Sequence, residues 1–360
     1  VLGQTFRFDD LVAMSGLSEW AVLEHLDLSL ERQLVQEISG DESLRFSHPE
    51  IQHVLYADLG ALRRRRLHRR AGEVIEERVQ PEAGRVAEEL AYHFEEAGEI
   101  ERALIYSIQA ADQARAAYAN EAALAWYERT LAMVERLPAE AEGDHRPLKL
   151  SALGSMGDVL ALMGCYDEAL AEFDVARKLL DQDSLSDDSV ATYRLADLYR
   201  RIADVYERRS EYDRALEWVE KGLSSLDLVE PTIEAVRLYN LEATVLRRQG
   251  KFDSAITCCQ RSLAIASQIK TTGGQRAMGR TFYLLADCTW RLADFEQALY
   301  FGQQSVQIYQ QIHDMVGLSE AHKILSNIYA DRGDWEKAGD TLERSLSLKQ
   351  AIGDIFGQAS

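Results

Sequence analysis

Proline is nearly missing from this chain, with five in 360 residues. That suits a protein built almost entirely of helix, because proline removes a backbone donor and clashes with the preceding turn. Cysteine is scarce too. Cys165, Cys258, Cys259 and Cys288 have neither zinc-ligand nor redox-pair spacing, so they are expected as reduced core thiols in a cytoplasmic protein. No long apolar run occurs: the uncharged stretch from Gln297 to His313 is rich in glutamine and cannot span a bilayer, so no membrane partner is expected. A basic-then-apolar leader with a small-residue cleavage site is also missing from the start. Positive charge is outnumbered, with 40 Lys and Arg against 60 Asp and Glu and a net charge of −20. A chain of that sign repels nucleic acid, which makes a nucleic-acid partner unexpected.

Catalytic patterns are lacking as well. There is no HExxH and no serine nucleophile elbow, and the histidines at 25, 48, 53, 68, 93, 145, 313 and 322 show no metal-ligand grouping. The segment "GGQRAMGRT" contains Gly274-x4-Gly279-Arg280-Thr281, a near miss to a phosphate-binding loop. That loop needs lysine after the second glycine and a strand before the first; here arginine stands in and a helical pattern precedes. It reads as an inter-repeat loop entering a helix. No enzyme activity, metal or cofactor is expected of this stretch of chain.

What is present is repetition. "MGCYDEALAEF" (163–173), "RSEYDRALEWV" (209–219), "QGKFDSAITCC" (249–259), "LADFEQALYFG" (292–302) and "RGDWEKAGDTL" (332–342) share one plan. A small residue at a turn (Gly164, Ser210, Gly250, Ala293, Gly333) is followed two positions later by an aromatic (Tyr166, Tyr212, Phe252, Phe295, Trp335). An alanine comes three beyond that (Ala169, Ala215, Ala255, Ala298, Ala338). A weaker copy lies at Gly98, Ile100 and Ala103. Before each turn runs an amphipathic segment with apolar residues at three- and four-residue spacing, which marks a helix with one buried face. Each unit is therefore a helical hairpin, and Trp335, like its equivalents, is expected to wedge between helices in the core. A lone hairpin leaves an apolar face wet, so neighbours must stack.

The first 80 residues read differently. Two short helices, 8–15 and 18–30, precede the strand-like "QLVQEI" and "LRFSH", which form a hairpin around "SGDE". A helix then starts at Pro49, proline being favoured in a first turn. This is a winged-helix layout. Its second helix, "LSEWAVLEHLDLSL", has three acidic residues and no Lys or Arg, which disfavours DNA readout by it. The run Arg63–Arg66 with Arg69 and Arg70 reads as one solvated helix face balanced by Glu73, Glu76 and Glu77.

The repeat resembles the tetratricopeptide repeat in its longer form of roughly 40 residues, over 83–360. The order of winged helix, "FSHPEIQHVLY", "LRRRRLHRRAGEVIEE" and repeats resembles the STAND-class signal-transduction ATPases. The branch in question carries tetratricopeptide sensors and includes maltotriose-responsive activators and related bacterial regulators. The fold implied is all-α: a right-handed α-solenoid superhelix (83–360) behind a winged-helix domain (1–60) and a basic linker helix (61–82). The resemblance implies ATP or ADP in the parent protein and places His48, after the wing, where that class touches the nucleotide β-phosphate. Pro49 stands where the family motif has aspartate, which leaves helix capping by His48 as the alternative. Val1 in place of methionine, and "IGDIFGQAS" (352–360) repeating the layout of "IHDMVGLSEA" (312–321), suggest a piece of a longer chain.

In such arrays the first helix of each hairpin lines a concave groove. Counting the turn residue as position 15, positions 5, 9 and 12 face that groove. They are Arg200, Asp204 and Glu207; Asn240, Thr244 and Arg247; Tyr283, Asp287 and Trp290; and Lys323 with Asn327. The expected function is a ligand-sensing, protein-binding module that controls nucleotide-dependent activation. A protein, peptide or small molecule would occupy the groove, with ligand-induced self-association possible. A constitutive scaffold without a switch, or a DNA-binding regulator acting through the winged helix, are the other readings.

Overall fold

The computed structural model describes residues 1–38, 42–79, 86–138, 145–181, 189–226 and 230–352. The chain divides into two compact units, Val1–Met163 and Gly164–Ser360.

The first unit opens with a three-stranded antiparallel sheet of order β1-β3-β2, made of β1 (Thr5–Arg7), β2 (Val35–Glu37) and β3 (Ser43–Phe46). Thr5 pairs with Arg45, and Val35 with Phe46. Helices α1 (Phe8–Ser15) and α2 (Glu19–Glu31) lie between β1 and β2, and α3 (Pro49–Ala57) follows β3. Leu26, Val35 and Leu44 form its small core, with Phe6, Phe8 and Phe46 packed around them. The two helices, the β2–β3 pair and the start at Pro49 fall where the sequence predicts them. Strand β1 was not predicted, because three residues of "TFR" are too short for a period-2 pattern. The tip of the β2–β3 turn, 39–41, lies outside the described residues.

Helices α4 (Ala61–Val79), α5 (Ala87–Ala97), α6 (Ile100–Ala116), α7 (Asn120–Glu135) and α8 (Arg146–Leu162) complete the unit. Ile75, Leu90, Phe94, Leu104 and Met133 bring α4 to α7 into one core. The basic run on α4 is only partly the solvated face expected of it. Arg69 pairs with Glu99 at 2.5 Å, Arg70 with Glu73 at 3.5 Å, and Arg64 lies over the Tyr56 ring at 4.6 Å. Glu76 is taken by Arg102 of α6 instead.

The second unit is a run of hairpins: α9 (Tyr166–Asp181); α10 (Ser189–Arg208) with α11 (Tyr212–Ser225); α12 (Ile233–Arg248) with α13 (Phe252–Ala266); α14 (Thr272–Arg291) with α15 (Phe295–Gln311); and α16 (Met315–Arg332) with α17 (Trp335–Ala351). Each first helix also touches the next first helix, α10 to α12 to α14 to α16. The starts are set by side-chain caps: Thr232, Thr271, Asp294 and Asp314 each accept a backbone N–H three residues on, at 3.0–3.2 Å.

The ends are set by the turn residues. Gly98, Gly164, Ser210, Gly250, Ala293 and Gly333 all have positive φ. Within the second unit the closing bonds recur: Ser210 N–H to Glu207 O with Glu211 N–H to Tyr206 O, and likewise at Gly250, Ala293 and Gly333. A left-handed residue followed by these backward bonds satisfies carbonyls that the helix end leaves free. Tyr118 and His313, also at positive φ, close helices in the same way at turns that the sequence pattern did not mark.

The alanines do what their spacing predicts: Ala169, Ala215, Ala255 and Ala298 have no exposed surface. The aromatics divide. Tyr212, Phe252 and Phe295 are half-buried, each packed into the cluster it shares with the following first helix. Trp335 is 73% exposed and is not core, contrary to its sequence reading. Its equivalents are covered by the next first helix, as Ile324, Leu325 and Ile328 of α16 cover the cluster of Phe295. The described residues contain no helix after α17. The near miss at 274–281 is likewise corrected: it is not a loop, because α14 has begun at Thr272. Its glycines are close-packing positions, Gly274 against Ile269 and Gly279 against Tyr309.

Candidate functional site

The first helices of three successive hairpins, with the start of a fourth, bound a groove of about 670 Å³ in the second unit. From α10 come Arg200, Asp204, Glu207 and Arg208; from α12 Arg237, Asn240, Leu241, Thr244, Arg247 and Arg248; from α14 Gly273, Arg276, Ala277 and Arg280. Tyr309 of α15 and Asp314, Val316, Gly317 and Glu320 at the start of α16 close it. Side chains three and four apart on a helix share a face, so the period that buries one side of each helix places these groups together on the other.

Six of the sequence-predicted groove residues line it: Arg200, Asp204, Glu207, Asn240, Thr244 and Arg247. Tyr283, Asp287, Trp290, Lys323 and Asn327 do not. In α14 and α16 the lining shifts toward the helix starts, to Gly273, Arg276, Arg280, Gly317 and Glu320. One fixed set of positions, carried from repeat to repeat, misses that drift. The arginines Arg237, Arg248, Arg276 and Arg280 went unmarked, although Arg237, Arg248 and Arg280 lie one turn, and Arg276 two turns, from predicted positions.

Several predicted residues hold the wall together. The Asn240 amide donates to Ala277 O at 3.0 Å, and its carbonyl accepts from Thr281 and Ser262 hydroxyls at 2.8 and 3.0 Å. Asn240 is buried, so its hydrogen-bonding capacity is spent joining α12, α13 and α14. The Thr244 hydroxyl donates to Asn240 O at 2.8 Å. Asp287 is buried and takes Arg247 at 2.7 Å and Arg291 at 3.1 Å. Trp290 donates its indole N–H to Asp331 at 2.9 Å, and Arg280 lies over the Tyr283 ring at 4.8 Å.

Ion pairs stitch the groove across hairpin junctions: Arg248 to Glu207, Arg247 to Asp287, Arg276 to Asp314 at 2.6 Å, and Arg280 to Glu320 at 3.1 Å. Asp197 accepts from Arg200 and Arg201 at 2.9 and 2.7 Å. Burial pushes its carboxyl up, but the two guanidinium groups outweigh burial and hold it at about 2. Burial pushes the Tyr283 and Tyr309 phenols up, so both stay protonated near neutrality. Burial also raises Cys258 and Cys288 to about 12, which leaves them as inert thiols. Cys165 is only half-buried. Among the described residues no group of three or more His, Cys, Asp or Glu is placed to hold a metal ion, and no helix is long and apolar enough to cross a membrane.

In the first unit His48 is the N-terminal flanking residue of α3, yet its side chain makes no capping bond. Sequence reasoning passed over a different histidine pair. His68 of α4 and His93 of α5 are both buried, with Nδ1 atoms 2.9 Å apart, and the Tyr56 hydroxyl sits 2.9 Å from His68 Nε2.

Residues 234–311 and 321–355 match models of the tetratricopeptide repeat. These helices are tetratricopeptide repeats. The match begins at α12, and the hairpins before it share the same turn geometry. No curated protein matches the chain in sequence. Solved structures resemble it in fold. A STAND (signal transduction ATPase with numerous domains) protein with a tetratricopeptide repeat sensor, from Pyrococcus horikoshii, aligns over 98% of this chain at 11% identity and TM-score 0.55. This chain spans 50% of that protein's length. The apo form of RapI aligns over 85% of this chain and 80% of its own at 10% identity and TM-score 0.59. The Rap conjugation gene regulator of plasmid pLS20, solved with the Phr* peptide, aligns over 86% of this chain and 95% of its own, at 10% identity and TM-score 0.52.

Proposed function

We propose that the tetratricopeptide unit binds a peptide or protein segment in the groove along α10, α12, α14 and α16. The chain would then be the sensing part of a signal-transduction ATPase. The observation that carries the binding role is the groove itself: three neighbouring repeats and the start of a fourth put a wall of mostly charged and polar side chains on one continuous surface. The fold likeness to a STAND protein with a repeat sensor, and to a regulator solved with a peptide, supports placing such a module in a regulator. Residues 1–60 then serve as its winged helix. His48 suits a nucleotide phosphate contact in the parent, since its side chain is not spent on capping α3. ATP or ADP would be the nucleotide held there, ATP hydrolysis being the chemistry it supplies, and a ligand in the groove would favour activation and self-assembly.

The test is selection of short random peptides on the chain, followed by titration against Arg237→Ala and Tyr309→Phe variants. Groove binders lose affinity for the arginine variant while its helicity stays unchanged. Peptides bound equally by both variants and the parent would sink the groove as the binding site.

A further inference from the structure

The chain is strongly acidic, yet its groove is not. Seven arginines and no lysine line it, against four carboxylates, Asp204, Glu207, Asp314 and Glu320. Depth matters more than the tally. Arg276 is 61% exposed while its partner Asp314 is 13%; Arg248 is 49% exposed while Glu207 is 6%. Arg237, the third open cation, reaches its nearest carboxylate, Asp197, only at 4.0 Å. In these pairs the carboxylate sits at the back of the wall and the guanidinium stands in front of it, so an incoming ligand meets positive charge first. Asp204 and Glu320 are exceptions, as open as their own arginines.

We propose that the ligand of this groove is an extended acidic peptide segment whose carboxylates sit on the arginine rows of α10, α12 and α14. This rests on the groove being a binding site, and it names the chemistry of the occupant. Guanidinium groups offer several N–H donors in a fixed fork, so one already engaged on one edge can take a second carboxylate on another. Neighbouring packed helices lie about 8–10 Å apart. In the polyproline II form an extended chain has three residues per turn and rises about 3.1 Å per residue, so acidic side chains at every third position share one face and meet successive rows. The groove also carries Leu241, Ala277, Tyr309 and Val316, an apolar complement that suits peptide side chains and gives nothing to a sugar-phosphate backbone. That favours a peptide over a nucleic acid.

The experiment titrates the 360-residue chain with fluorescein-labelled peptides identical except at every third position, which is Glu, Gln or Lys, and with a labelled DNA duplex. The expected result is binding of the Glu peptide alone. That binding should weaken more than about tenfold from about 50 to about 300 mM salt, and about fivefold for each of Arg237→Gln and Arg276→Gln. Both side chains are exposed, and circular dichroism and melting confirm that the variants fold. Equal binding of the Gln or Lys peptide overturns the acidic assignment while leaving the groove reading standing. Binding of the duplex as tight as that of the Glu peptide overturns the choice of a peptide. Failure of all three peptides overturns this proposal and counts against the groove reading too.

Discussion

At the scale of single residues, the turn positions carry the most direct physical test. Ser210 and Ala293 hold φ of 61°, a region that side chains with a Cβ enter only at about 1–2 kcal/mol. Glycine occupies the same position at 98, 164, 250 and 333. Ser210→Gly and Ala293→Gly are therefore expected to stabilise the second unit by about 0.5–1 kcal/mol each, after the extra unfolded-chain entropy of glycine is subtracted. Urea denaturation checks this, and a loss of stability would show that the Cβ contacts outweigh the backbone strain. The buried pair Arg247–Asp287 behaves oppositely. Arg247→Met leaves Asp287 at 4% side-chain exposure with only Arg291 beside it. The expected cost is about 3 kcal/mol, while replacing both partners with apolar groups of similar volume should recover much of it. A double-mutant cycle reads the difference, and an additive result would mean that the pair is not coupled.

At the scale of elements, the repeat stamp was legible in the sequence because its parts have separate physical causes that agree. The turn residue frees a backbone angle, the alanine permits close approach, and the periodic apolar face demands a neighbour. Trp335 shows where such reading stops. The stamp describes one hairpin, whereas burial of its aromatic depends on the hairpin that follows. Phe295→Ala should thus cost about 1–2 kcal/mol, below the figure for a fully buried aromatic because it is only half-buried, while Trp335→Ala should stay within about 0.5 kcal/mol. Equal losses in thermal melts of the two variants would mean that Trp335 is covered after all. The groove was half legible for a related reason. Position counting names residues of α10 and α12 that line the groove but not Arg276 and Arg280, because in α14 and α16 the lining lies nearer the helix starts. Asn240 lay at a correctly counted position, yet its amide is spent on the Ala277 carbonyl, and no one-dimensional pattern reveals that.

At the scale of the whole molecule, the two units should respond differently to acid. In the first, His68 and His93 face each other through Nδ1 at 2.9 Å. One must donate and the other accept, and Tyr56 at His68 Nε2 is the natural donor that leaves His68 its Nδ1 proton. Burial depresses both histidines to about 4, His68 further by the N-terminal ammonium and Arg64, and His93 further by His68 and the N-terminal ammonium. The folded pair thus resists protons that the unfolded chain accepts from about pH 6.5 downward. By linkage, stability is full above that value and falls as pH drops toward 4. Adding a second proton would set two N–H donors against each other. In the second unit Asp197, held at about 2, keeps its contribution until pH falls below the ordinary aspartate range. Burial depresses His322 as well, so that unit also begins to lose stability below the ordinary histidine range, but through one histidine and not a coupled pair. Hydrogen exchange at pH 7.5 and pH 5 is therefore expected to show greater loss of protection in α4 and α5 than in α12 and α14. His93→Gln, whose side-chain carbonyl can still accept from His68, should flatten that difference. Equal loss in both units, or no effect of the substitution, would remove the histidine pair as the acid-sensitive element.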